Sequence, residues 1–214
     1  AAKQLTLSYR RFVMSLQDKK FDYIVVGAGS AGAVVAARLS EKPDCQVLLL
    51  EAGAPDHFWT RIPVGFAKLI NNPAANWLYE SEAEDSTGGR KIGVPRGKLL
   101  GGSSAINGMV YVRGQAQDYD HWAQLGNRGL SFEDVLPMFK RLESFPGGDD
   151  RFRGRDGPIK VKVNNESGPL VDALFAACEH EGLKRNPDYN GPIQDGVTIA
   201  ETNIGNGVRM STAS

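Results

Sequence analysis

Residues 23 to 41, YIVVGAGSAGAVVAARLSE, set an apolar run directly against a glycine-broken turn and then a helical pattern. Few folds can use that order. Asp22 to Val26 lacks polar alternation, which predicts a parallel strand buried on both faces. Ala31, Val34, Val35 and Leu39 then recur at helical spacing, predicting one face laid against a sheet. Pro43 and Asp44 end that helix, and Gln46 to Leu50 predicts a second buried strand running into Glu51. Strand, helix and strand make a βαβ unit, right-handed by the general rule, so the fold class reads as α/β.

The turn itself carries chemistry. Gly27-x-Gly29-x-x-Gly32 is the dinucleotide fingerprint. Gly27 allows the tight turn, Gly29 lets the backbone approach a pyrophosphate, and Gly32 lets helix and strand pack closely. The helix opening at Ser30 and Ala31 aims free N–H groups and the positive end of its dipole at phosphates. Glu51, followed by Ala52, stands 19 residues beyond Gly32, at the spacing of a ribose-binding acid. Its carboxylate can accept from both ribose hydroxyls, and its charge repels a 2′-phosphate, which argues against NADP. FAD and NAD both fit this motif, and a purely structural glycine turn is the alternative.

Composition narrows the partners. Lysine plus arginine (25) balances aspartate plus glutamate (25), so nothing draws the chain to nucleic acid or an anionic membrane. Apolar runs are strand-sized, which predicts no transmembrane segment. Cys45 and Cys178 stand far apart without a CxxC, so neither a disulfide framework nor a metal site is expected. That usage fits a reducing, cytoplasmic location. Residues 1–20, with Met14 shortly before the first strand, read as an N-terminal extension.

Beyond residue 53 the signals thin. Residues 54–95 predict only an extended piece around Trp77 and Tyr79. Ser131 with Asp134 predicts a helix start, with a face of Val135, Leu136, Phe139 and Leu142 and a costly Pro137. PGGDDRFRGRDGP, residues 146–158, reads as a boundary. Past it, Ile159, Val161 and Val163 alternate with lysines, predicting a half-exposed antiparallel strand. A helix is expected from Pro169 to about Glu181, stopped by Gly182, and a strand within 197–204.

A second glycine turn decides between cofactors. Gly97, Lys98, Leu100, Gly101, Gly102, Ser103, Ser104, Ile106 and Asn107, then Tyr111, Gly114 and Asp120, resemble the first signature block of the glucose–methanol–choline (GMC) oxidoreductases. VLLLEAG, NWLYESEAE, DYDHWA and EDVLPMFKRLE are similar to that family's choline-dehydrogenase-like branch, and the likeness covers residues 21 to 214. The resemblance implies an FAD-binding Rossmann-like βαβ domain over 21–157 and the start of an inserted α+β substrate domain over 158–214. It implies cofactor contacts at Leu99, Gly101, Gly102, Ser103, Asn107, Gly108, Met109 and Val110, and also at Arg96, Gly97 and Trp77. For Asn107, simple turn capping is the alternative. Ile106 stands where some relatives attach FAD through a histidine, and an alkyl side chain implies non-covalent FAD. The implied reaction moves hydride from a small primary alcohol to flavin N5, with O₂ or a quinone-type carrier as electron acceptor.

The resemblance implies that the catalytic histidine lies in the family's C-terminal part, and none of His57, His121 and His180 matches it by position. No catalytic residue is therefore named. The chain is expected to be the N-terminal portion of such an enzyme, completed by a C-terminal half in cis or as a separate chain. The alternatives are a non-catalytic FAD-binding fragment, or a relative with lyase or photodecarboxylase chemistry.

Overall fold

The computed structural model describes residues 19–214, so the expected N-terminal extension lies outside the described residues save for Lys19 and Lys20. Strand β1 (Tyr23–Val26) pairs in parallel with β2 (Val47–Leu50), in register from Tyr23 opposite Val47 to Val26 opposite Leu50. Helix α1 (Ser30–Leu39) makes the crossover. The βαβ unit thus stands where the sequence put it.

Two details of that unit differ from expectation. Helix α1 buries Ala36, while Val34 and Val35 are exposed. The reason is Gly32: a Cβ there would lie 1.9 Å from Gly27 O and 3.3 Å from Val25 Cγ1. The helix leans on the turn along the Gly32–Ala36–Leu39 line, whose first turn has room only for small side chains, and the branched valines are rotated aside. Nor are the strands buried on both faces: Ile24 is 60% and Val26 82% exposed. One helix covers one face, and among the described residues no third strand joins this pair.

Short pieces follow. Helices α2 (Phe58–Arg61) and α3 (Phe66–Leu69) flank a 3-10 turn over Pro63–Gly65. Strands β3 (Tyr79–Glu80) and β4 (Gly93–Val94) pair antiparallel, placing the expected extended piece. The main apolar cluster is Leu69, Ala75, Leu99, Ala105 and Ile106, with Trp59 against it, so the core sits directly beneath the second glycine turn.

Helix α4 (Ala116–Gln124) carries little apolar pattern and was not expected; Tyr119 ties it edge-on to Phe139 of α5 (Phe132–Leu142). Ser131 caps α5 reciprocally with Asp134, and Pro137 falls in its second turn. The single antiparallel strand expected over 159–163 is two pieces. β6 (Ile159–Lys160) runs parallel to β5 (Glu143–Ser144), and β7 (Lys162–Val163) runs antiparallel to β8 (Glu201–Thr202). Buried Val161, bonded through its N–H to Ser144 O, is where the chain changes partner. Helix α6 (Pro169–His180) ends as expected at Gly182, whose φ is +86°. β9 (Ile204–Gly205) and β10 (Val208–Arg209) close a hairpin.

Candidate cofactor site

The first turn is built by sterics and one carboxylate. Gly27 has φ +94°, a conformation that L side chains resist. Its N–H donates to Leu50 O at 2.7 Å, continuing the β1–β2 ladder into the turn. Glu51 then pins the loop: Oε2 accepts from Ala28 N and Oε1 from Gly53 N, each at 2.8 Å. Carboxylate oxygens have further lone pairs, so both can accept again on the outer side. The first bond of α1 runs from Ala33 N to Gly29 O, leaving the amides of Ser30, Ala31 and Gly32 without carbonyl partners. Nothing but Gly102 Cα, at 3.9 Å, lies near a Cβ built on Gly29. That amide face is open.

The second turn docks onto the first through backbone alone. Gly101, at φ +88°, donates its N–H to Ala28 O at 2.8 Å. Leu100 N donates to Ala54 O at 2.9 Å. A Cβ on Gly102 would sit 2.7 Å from Gly29 Cα, and one on Gly97 would sit 2.2 Å from the Gly102 carbonyl. Both glycines are therefore demanded by chain-on-chain contact, not only by a ligand. Ser103 Oγ accepts from Gly97 N at 3.1 Å and holds the approach to this turn.

Between the two turns lies a cavity of about 660 Å³, within the size range of ligand sites. The first turn contributes Gly27, Gly29 and Ser30 to its wall, and the end of β2 contributes Glu51 and Ala52. Opposite stand Trp77, Arg96, Gly97, Gly102 and Ser103. Trp77 is fixed from behind: Asn76 Oδ1 accepts from Leu78 N and Arg96 N, and Trp77 N donates to Arg96 O. Its ring stacks on Tyr79 and carries Lys98 Nζ at 4.6 Å from the centroid.

The other expected contacts lie off this wall. Ala31 and Gly32 present only their backbone amides, and Gly101 ties the second turn to the first through its N–H on Ala28 O. Leu99 belongs to the core cluster, so its side chain supports the turn from beneath. Asn107, Gly108 and Val110 are exposed on the adjoining surface, and Met109 is buried with φ +64°. Asn107 Oδ1 does cap a turn, accepting from Met109 N at 3.1 Å. Sequence reasoning missed Val26 and Leu50, which also line the cavity. The rule that ligands sit beyond the carboxyl ends of parallel strands would have found both. It had no signal for Asn76.

A buried charge cluster flanks the segment that leaves the second turn. Arg153 reaches Glu143 and Glu201 with bonds of 2.8–2.9 Å, all three essentially without solvent contact. Arg113 Nη2 lies 2.7 Å from Glu143 Oε1, an ion pair whose angle falls short of a hydrogen bond. Tyr111 N donates to Glu201 O, so the cluster is tied to the chain just past Val110. Burial, with Glu143 nearby, pushes the Tyr111 phenol from its ordinary 10.0 up to about 12. Among the described residues, no group of histidine, cysteine and acidic side chains could hold a metal, and no helix is long and apolar enough to cross a membrane.

Comparison with known proteins agrees with this geometry. A family model described as "GMC oxidoreductase" matches residues 21–214. The chain is similar to "Oxygen-dependent choline dehydrogenase" of Vibrio vulnificus, 44% identical over 200 residues, which cover 92% of this chain and 36% of that protein. Its fold is similar to pyridoxine 4-oxidase of Mesorbium loti, at 37% identity and a TM-score of 0.84, covering 91% of this chain and 38% of the other. It is also similar to a formate oxidase of Aspergillus oryzae whose FAD modification was studied by mutation, at 26% identity and a TM-score of 0.79, covering 90% and 36%. The chain thus spans about a third of the length of the relatives it matches.

Proposed function

The chain belongs to the GMC oxidoreductase family, and on that premise we propose that it forms the cofactor-holding part of an FAD-dependent oxidoreductase acting on a small primary alcohol. The observation that carries this reading is the meeting of the two glycine turns, Gly29 against Gly102, around one cavity that also receives Glu51. The open amides of Ser30, Ala31 and Gly32 would receive the diphosphate, helped by the helix dipole. Glu51 would accept from the ribose hydroxyls with its outer lone pairs, while its inner ones keep the turn closed. Trp77, Arg96, Gly97, Gly102 and Ser103 would wall the remainder, and Asn107, Gly108, Met109 and Val110 would follow its outer edge. Bound FAD would supply a two-electron acceptor for hydride from the carbinol carbon.

Ile106 lies in the core cluster, an alkyl group with no nucleophilic atom, which supports dissociable FAD. Choline is the first substrate to try, and O₂ the first acceptor, because relatives at 44% identity are named for both. A quinone-type carrier is the second acceptor. Residues 158–214 would begin the substrate-binding domain, and the exposed faces of β1 and β2 would receive further chain of the same enzyme. A cytoplasmic location completes the proposal.

The test has two arms. Titration with FAD should quench flavin fluorescence saturably, and denaturation followed by filtration should release the yellow colour. In the full-length protein, choline should bleach a dye acceptor. Flavin that stays with the denatured polypeptide overturns the non-covalent reading; failure of every primary alcohol to bleach the dye overturns the alcohol reading.

A further inference from the structure

Arg209, on β10, is 1% exposed. A guanidinium carries five N–H donors and is kept inside a protein only with good acceptors. Arg113 Nε and Nη2 lack a hydrogen-bond partner, but both Arg113 and Arg153 face a carboxylate at 2.7–2.9 Å. Arg209 does not. Its Nε donates to Thr60 O at 3.0 Å, and its Nη1 to Ser104 O at 3.1 Å and Asn107 Oδ1 at 2.8 Å. Nη2 is buried without a partner, and among the described residues no acid pairs with this side chain. Burial lowers its pKa to about 10, which leaves it charged at neutral pH.

What it holds is specific. Asn107 Oδ1 accepts from both Arg209 and Met109 N, so the arginine braces the turn that puts Met109 at φ +64°. A buried non-glycine residue in that conformation is strained and persists only where its surroundings fix it. The next chain on the outer side, Gly108, is exposed, with nothing within 4 Å of a built Cβ. An uncompensated buried cation therefore stands behind a braced, open stretch of backbone.

Resting on the proposed function, we propose that Arg209 is a positioning residue for the flavin end of the cofactor. It holds the Asn107–Met109 turn and places an unpaired positive charge behind it, favouring the anionic form of the bound ring. Electrostatics in a dry site act over several ångströms, so direct contact is not required.

Sulfite tests this without turnover. Its lone pair forms an S–N bond at flavin N5, and the ring takes the electron pair as negative charge, which bleaches the oxidised spectrum. The full-length FAD-loaded protein is compared with Arg209→Lys, which keeps the charge, and with Arg209→Met and Arg209→Gln, which remove it. Sulfite affinity should fall about tenfold or more in the neutral variants and stay near the unaltered value with lysine. Loss of flavin from both neutral variants, with the lysine variant still loaded, supports the same conclusion. Unchanged affinity in a loaded neutral variant, or equal loss in lysine and neutral variants, overturns the charge role. Absence of flavin from the unaltered protein overturns the proposed function instead, and this inference with it.

Discussion

Gly29 and Gly32 look alike in the sequence but are required for different reasons. A Cβ on Gly32 would lie 1.9 Å from Gly27 O, whereas one on Gly29 would meet nothing nearer than 3.9 Å. Gly32→Ala should therefore lower stability by roughly 2 kcal/mol or more, the scale of an overpacked site. Gly29→Ala should leave the thermal midpoint nearly unchanged and weaken FAD binding at least tenfold. Calorimetry and flavin titration on the two variants read both effects. Glu51→Gln replaces one acceptor oxygen with a donor facing a backbone N–H, a loss of about 1–3 kcal/mol of turn stability. Tyr111 gives a pH test. Folding holds its phenol protonated, so its contribution is complete below its ordinary 10.0 and is lost as pH rises towards about 12. Absorbance of ionised tyrosine should thus show one phenol titrating late in the folded protein and normally in denaturant.

Among the elements, those set by local pattern were legible and those set by distant partners were not. β1, α1 and β2 could be read because apolar runs, three glycines and an acid all fall within thirty-odd residues. α5 was legible from its Ser131–Asp134 box, and α6 from Pro169 and Gly182. The inward face of α1 was misread because hydropathy favours valine, while the close approach at Gly32 has no room for a Cβ and turns Ala36 inward instead. Helix α4 is too polar to announce itself, and the partner switch at Val161 depends on Ser144 and on β8, neither visible in the local alternation. The charge cluster joining β5 to β8 was equally hidden, since Arg153 and Glu201 lie 48 residues apart. Glu201→Ala should strand Arg153 without solvent or a full set of acceptors and lower stability by about 3–5 kcal/mol. Denaturant unfolding measures this, and a change under 1 kcal/mol would show that the cluster is dispensable.

Across the whole molecule, the two glycine turns were more legible than the packing that joins them. The two glycine turns are 70-odd residues apart in sequence, yet each carries its own requirement for small residues, so each could be recognised alone. Their contact, Gly29 to Gly102, was not legible in either turn, and the wall residues Val26 and Leu50 follow from strand direction rather than residue type. Arg209 stayed silent because its partner Asn107 is 102 residues away and an arginine in a hairpin signals nothing by itself. The most direct measurement of the central claim is a structure of the FAD complex. The expected result places the diphosphate on the amides of Ser30, Ala31 and Gly32, with a ribose hydroxyl donating to Glu51. A diphosphate bound away from that turn, with Glu51 touching only Ala28 and Gly53, would contradict it.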